Sequence, residues 1–204
     1  METLFSKDRS ISEADRTNAD GGQDHRKGFL MRFKVYDLAI IAMMASLGIA
    51  VKPLVVALAH LITGPLFIPG GSLAGGFYMM WLVLGAALVK RPGTAALIGL
   101  VQAIMVIAAG VYGSHGIFSI VTYTLPGLAV DAVFLGARSH PDEKLTMFFS
   151  GISANLTGVI LSNIIFFRLP ALPLMLSVCI GAFSGAVGGL LAHYIAMRIE
   201  KLRI

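Results

Sequence analysis

The chain has 204 residues, of which 56% are hydrophobic and only 13% charged, with a formal net charge of +5 and a mean hydropathy of +0.81. A soluble domain carries about 25% charged residues, so this composition excludes an ordinary soluble protein and points to a membrane. The excess of cations is not a nucleic-acid footprint, because Lys and Arg sit at the ends of apolar runs and in the leader rather than along one helix face.

Residues 1–28 are polar, charged and rich in Ser, Asp, Arg and Gly, without the apolar core of a signal peptide. Residues 1–32 are read as a disordered cytoplasmic tail, and residues 33–204 as one membrane domain. Arg26, Lys27, Arg32 and Lys34 form a basic cluster before the first apolar run, which places the N-terminus inside. The first helix is predicted over residues 33–52, with Pro53 kinking or ending it. Ala42, Ser46 and Ala50 recur at spacing four on one face of it, and small residues at that spacing let another helix approach closely. Residues 53–71 are apolar but hold Pro53, Pro65, Pro69, Gly64, Gly70 and Gly71, which predicts an irregular re-entrant or capping segment on the outer side.

Residues 69–93 set the frame for the rest. A Gly-rich opening leads into an apolar run over 72–89, which is about 27 Å long as a helix and close to the roughly 30 Å of bilayer hydrocarbon. Lys90 and Arg91 end that run and belong on the cytoplasmic side. A third span follows a tight turn, over 94–111, and residues 112–116 form a short external loop. The fourth span, 117–137, contains Pro126 and Asp131, and the polar connection 138–144 is cytoplasmic. The fifth span, 145–167, holds Asn155 and Asn163 and ends at Arg168. Asn155-Leu156-Thr157 matches the glycosylation pattern but sits in mid-span, so it is a chance match. The sixth span, 171–197, carries Gly181, Gly185 and Gly189 at spacing four and ends in a basic cluster from Arg198 to Arg203.

The predicted fold is thus an all-α integral membrane protein of six transmembrane helices, with N- and C-termini cytoplasmic and an irregular outer segment after the first helix. All 16 Lys and Arg residues except Lys52 and Arg168 then fall on the cytoplasmic side, as a multi-pass cell-membrane protein requires. The single cysteine, Cys179, excludes an intrachain disulfide.

No Walker-type loop, His-Glu-x-x-His, Gly-x-Ser-x-Gly or paired intramembrane carboxylates occur, and nothing calls for a cofactor or a resident metal. A small integral-membrane enzyme or assembly factor is the alternative class, with Asp131 and His193 as the residues to suspect. The remaining polar and aromatic groups gather toward the outer half. Lys52, His60, Trp81, Tyr112, His115 and Asn163 come from different segments at a similar predicted depth, and together they suit a small organic ligand entering from outside. Tyr78, Tyr123 and Arg168 share that half, where an interfacial aromatic belt accounts for them equally well. With two cations and no carboxylate there, a neutral or anionic heteroaromatic ligand is favoured over a cation.

Six spans, a small-residue face on the first helix and a broken outer segment after it resemble the substrate-binding S component of energy-coupling factor (ECF) transporters. Gly75-Gly76-Phe77-Tyr78-Met79-Met80-Trp81, followed by residues 86–97 around Lys90-Arg91-Pro92-Gly93, looks most like the YkoE group, associated with thiamine and its hydroxymethylpyrimidine precursor. The resemblance implies a non-catalytic subunit that captures a vitamin or vitamin precursor outside. It also implies delivery with a membrane coupling protein (the T component) and two ABC ATPases. The coupling protein would dock on the face matched here by Ala42, Ser46 and Ala50. This chain departs from the expected pattern in having Gly99 and Gln102, and no acid, in the helix after the Pro-Gly turn. It also lacks the Met-His start used by nickel and cobalt members.

Overall fold

The computed structural model describes residues 33–66, 68–109, 118–137 and 143–202, and every regular element among them is helical. Six α-helices follow in order: α1 (Val35–Thr63), α2 (Gly70–Val89), α3 (Thr94–Ala108), α4 (Ser119–Gly136), α5 (Lys144–Ser162) and α6 (Ala171–Leu202). The compact unit Asp37–Ile204 holds this bundle from the first turn of α1 onward. Five of these stretches, α5 taken with the π turn that continues it to Phe167, are long and apolar enough to cross a membrane; α3, at 15 residues, is a shorter apolar helix. The tail over 1–32 lies outside the described residues.

The first boundary differs from the sequence expectation. α1 does not end at Pro53 but runs through it to Thr63, so the broken segment shrinks to a 3₁₀ turn at Gly64–Leu66 and the residues before Gly70. Proline removes one N–H and crowds the preceding turn, which costs a helix one hydrogen bond and a bend. Only one ladder bond is lost at Pro53, and the flanking turns re-form on either side. Gly70 then brings the start of α2 against α1: a Cβ there would lie 2.8 Å from the Val56 carbonyl oxygen.

α2 is the axial helix, with 67% of its most apolar window buried against 28% for α1. Its neighbours are α3, α4, α5 and α6. Close approach comes from glycine on both sides of the α2–α6 and α5–α6 crossings. A side chain at Gly188 of α6 would overlap the backbone of Gly76 of α2, and one at Gly151 of α5 would overlap Gly185 and Gly189 of α6. Without a hydrophobic force between helices in lipid, such contact and interhelical hydrogen bonds hold the bundle. Both appear together here. Asn155 of α5 donates through Nδ2 to the carbonyls of Ser72 (3.1 Å) and Gly181 (2.8 Å), and Ser184 of α6 accepts from the Gly76 N–H at 3.0 Å while donating to the Leu73 carbonyl. The buried amide of Asn155 also rules out glycosylation at that match.

The bundle has two unlike ends. At one, Arg91 Nε lies 2.9 Å from Asp37 Oδ2 and Lys90 Nζ 2.9 Å from Glu200 Oε1, so the α2–α3 turn is pinned to the start of α1 and the end of α6. Lys90 is left-handed (φ 55°) and Gly93 takes φ 86°, the conformations this four-residue turn demands. Gly93 has no side chain to cap α3. Asp131 of α4 supplies the cap instead, accepting from the N–H groups of Ala95 (3.2 Å) and Ala96 (2.9 Å). Among the described residues all four carboxylates, Asp37, Asp131, Glu143 and Glu200, belong to this charged end.

Candidate ligand site

The opposite end holds a cavity of about 680 Å³. Its wall is mostly apolar and is drawn from the second half of α1, the start of α2, the ends of α3 and α5, the start of α4 and the first turns of α6. Three of the residues singled out from the sequence, Lys52, His60 and Asn163, line it together. Trp81 does not: it stands one turn deeper along α2, and its indole Nε1 is buried without a hydrogen-bond partner. Tyr112 and His115 lie outside the described residues.

Lys52 is the chemical centre of the wall. It sits on α1 one residue before Pro53, and its Nζ donates to Tyr123 Oη at 2.7 Å. The same ammonium stands 4.1 Å from the ring centroid of Tyr123 and 5.1 Å from that of Tyr78. Two aromatic faces therefore stabilise a cation that has no carboxylate beside it among the described residues. Tyr78 directs its own hydroxyl to the Gly71 carbonyl at 3.4 Å, which ties its ring to the start of α2. The sequence places Tyr78 and Tyr123 in the same outer half as Lys52 but does not single them out for the site. What selects Tyr78 over Trp81 is the rotation and depth of α2, and no linear pattern reports that.

Asn163 has a structural task as well. α5 ends in a π-helical turn, Asn163–Phe167, and Arg168 follows in the left-handed region (φ 44°). The Arg168 N–H donates to the Asn163 carbonyl and the Leu169 N–H to Asn163 Oδ1, both at 2.8 Å. The side-chain Nδ2 is what remains of Asn163 for a ligand. π turns of this kind are frequent at functional sites. Thr122, Ser162 and Ser177 add hydroxyls to the wall, and Tyr78, Tyr123 and Phe167 add rings.

The face of α1 carrying Ala42, Ser46 and Ala50 is exposed along its length, and the Ser46 hydroxyl is returned to its own helix at the Ala42 carbonyl (2.8 Å). The helix packs inward through other residues, with Met44 beside Gly85 and Gln102 beside Gly48. Asp131, the first residue suspected under an enzymatic reading, is occupied in capping α3, and His193 is not in the cavity wall. Among the described residues no group of three or more His, Cys, Asp or Glu could hold a metal ion.

The described helices of membrane-spanning length make this a multi-pass cell-membrane protein, with the cavity at the end opposite the charged turn. In fold the chain is similar to a solved structure described as an S-component of an ECF transporter, with a TM-score of 0.70 over 84% of this chain and 88% of that one, at 21% identity. Residues 36–157, more than half of the chain, match the family described as "ABC-type cobalt transport system, permease component", and the chain belongs to that family. No curated protein matches it.

Proposed function

We propose that this chain is the substrate-binding S component of an ECF-type importer, which captures a vitamin or vitamin-precursor heteroaromatic molecule in the Lys52 cavity. The observation that carries the reading is the cavity itself: about 680 Å³, mostly apolar, with the Tyr78 and Tyr123 rings flanking one ammonium. That volume lies inside the roughly 300–1,000 Å³ range of small-molecule sites, and aromatic walls with a few fixed polar groups suit a heteroaromatic ring. Lys52, His60 and Asn163 act with the two tyrosines, and Tyr112 and His115 are retained from the sequence, three and six residues after the cavity-lining Ala109. The charged end faces the cytoplasm, by the bias of Lys and Arg toward that side, and the cavity faces out.

Within this reading the ring is a thiamine- or hydroxymethylpyrimidine-like heteroaromatic, as the resemblance to the YkoE group implies. A T component docks on Ala42, Ser46 and Ala50, and two ABC ATPases supply the energy, since this chain has no ATP-binding loop of the Walker type. The family description names cobalt, and its uptake is the second reading. The wall offers His60, Met79 and Met105 as soft donors, a thin set for a divalent cation beside an ammonium.

Calorimetry on the purified chain with thiamine, hydroxymethylpyrimidine and Co²⁺ tests the ligand. Uptake in cells co-expressing the T component and ATPases tests the role. Binding of a pyrimidine, with uptake dependent on both partners, is the expected result. Tight cobalt binding with no organic ligand would overturn the vitamin reading, and uptake independent of the partners would overturn the S-component role.

A further inference from the structure

Residues 38–130 and 144–199 contain no Asp or Glu, so no carboxylate from the spans can reach the cavity end to balance Lys52. An ammonium has three N–H donors; one goes to Tyr123 Oη at 2.7 Å, and among the described residues no hydrogen bond takes up the other two. The Tyr78 hydroxyl is turned away to the Gly71 carbonyl. The cation is thus held by aromatic faces at 4.1 and 5.1 Å, in a wall of low polarity, with no carboxylate among the described residues to balance it. An isolated charge withdrawn from water is costly, and a partner of opposite sign in the same site recovers much of that cost.

We infer that the ligand carries one negative charge, a carboxylate on a heteroaromatic ring, which pairs with Lys52 Nζ while the ring lies against Tyr78 and Tyr123. This rests on the S-component reading above and keeps its heteroaromatic ring, with an acid in place of the hydroxymethyl group or the thiazolium. A single ammonium with a neutral phenol matches a monoanion. A phosphate ester would leave surplus negative charge in the same apolar wall, where no arginine fork or second cation lines the cavity among the described residues. A cation such as thiazolium would be repelled by Lys52 at close range.

The test uses the full-length chain in lipid nanodiscs and a panel of heteroaromatic compounds in matched sets. On each ring, including 4-amino-2-methylpyrimidine, the substituent is a carboxylate, its carboxamide, a hydroxymethyl group or the phosphate ester of that group, and thiamine is the cationic control. At least one carboxylate is expected to bind at least about tenfold more tightly than its carboxamide, the scale set by pairing a buried charge. Lys52→Gln should erase that ratio and Lys52→Arg should keep most of it, with Tyr123→Phe as a gentler variant should Lys52→Gln fail to fold. No preference for any acid over its amide would overturn the inference, as would tighter binding of a phosphate ester or of thiamine. The two readings fail separately, because co-purification with the T component and partner-dependent uptake report on the S-component role whatever the ligand's charge.

Discussion

The side-chain amide of Asn155 donates to the Gly181 carbonyl at 2.8 Å while also reaching Ser72, so one residue of α5 ties together α6 and α2. Its Oδ1 lies against Gly75 and has no hydrogen-bond partner. Asn155→Ala should lower stability by about 1–2 kcal/mol, the scale of two interhelical hydrogen bonds in a membrane protein. Unfolding in mixed detergent micelles measures the change. No loss would mean that glycine packing alone holds this junction.

Gly188 gives a sharper case. Its α-carbon faces the Gly76 backbone so closely that any side chain would overlap the Gly76 carbonyl, and backbone cannot move aside as a flexible side chain can. Gly188→Ala should therefore destabilise by about 1–3 kcal/mol, as overpacking of a tight core does, and Gly188→Leu by more. Gly136, with nothing within 4 Å of a Cβ there, is the internal control and should tolerate alanine without loss.

Asp131 separates a structural role from a chemical one. Asp131→Ala removes the cap on α3 and should cost about 0.5–2 kcal/mol. Asp131→Asn keeps an oxygen acceptor and should recover much of that. Ligand affinity and uptake per folded molecule should survive both changes, because the cavity lies at the other end. Loss of transport by Asp131→Asn at unchanged melting temperature would show that this carboxylate works in translocation.

Ser46 reports on the exposed face of α1. Its hydroxyl is bonded only within its own helix, so Ser46→Trp adds bulk on the outside without disturbing the core. The variant should bind ligand as the parent does, yet fail to co-purify with the T component and fail in uptake. Ser46 is the right probe, since Ala50 on the same face also lines the cavity. A joint loss of ligand binding and partner binding would assign the face to internal packing.

Sidedness has its own measurement. Single cysteines at Ser114 and Ser139, in a Cys179→Ala background, should react differently with an impermeant thiol reagent in intact cells, Ser114→Cys strongly and Ser139→Cys weakly. The background change is needed because Cys179 is exposed on α6. Equal labelling would remove the six-span topology.

The all-helical membrane architecture and the sorting of charge to one end were determined by the linear sequence alone. The bilayer selects on length, apolarity and the placement of Lys and Arg, and each is a property of a stretch taken by itself. The small-residue repeats were visible for the same reason, since spacing four always shares a helix face. Only the tertiary structure decided that α1 passes through Pro53, because one lost ladder bond is small beside the helical turns that continue on both sides. Only it showed Asp131 capping a helix 35 residues back in the chain, and Lys52 meeting Tyr123 from 71 residues away. The cavity wall depends on how far each helix is rotated and how deep it sits, and glycines at the crossings set both. Tyr78 faces Lys52 and Trp81 does not because the axial helix is turned that way, a choice made by its neighbours and written nowhere in its own residues.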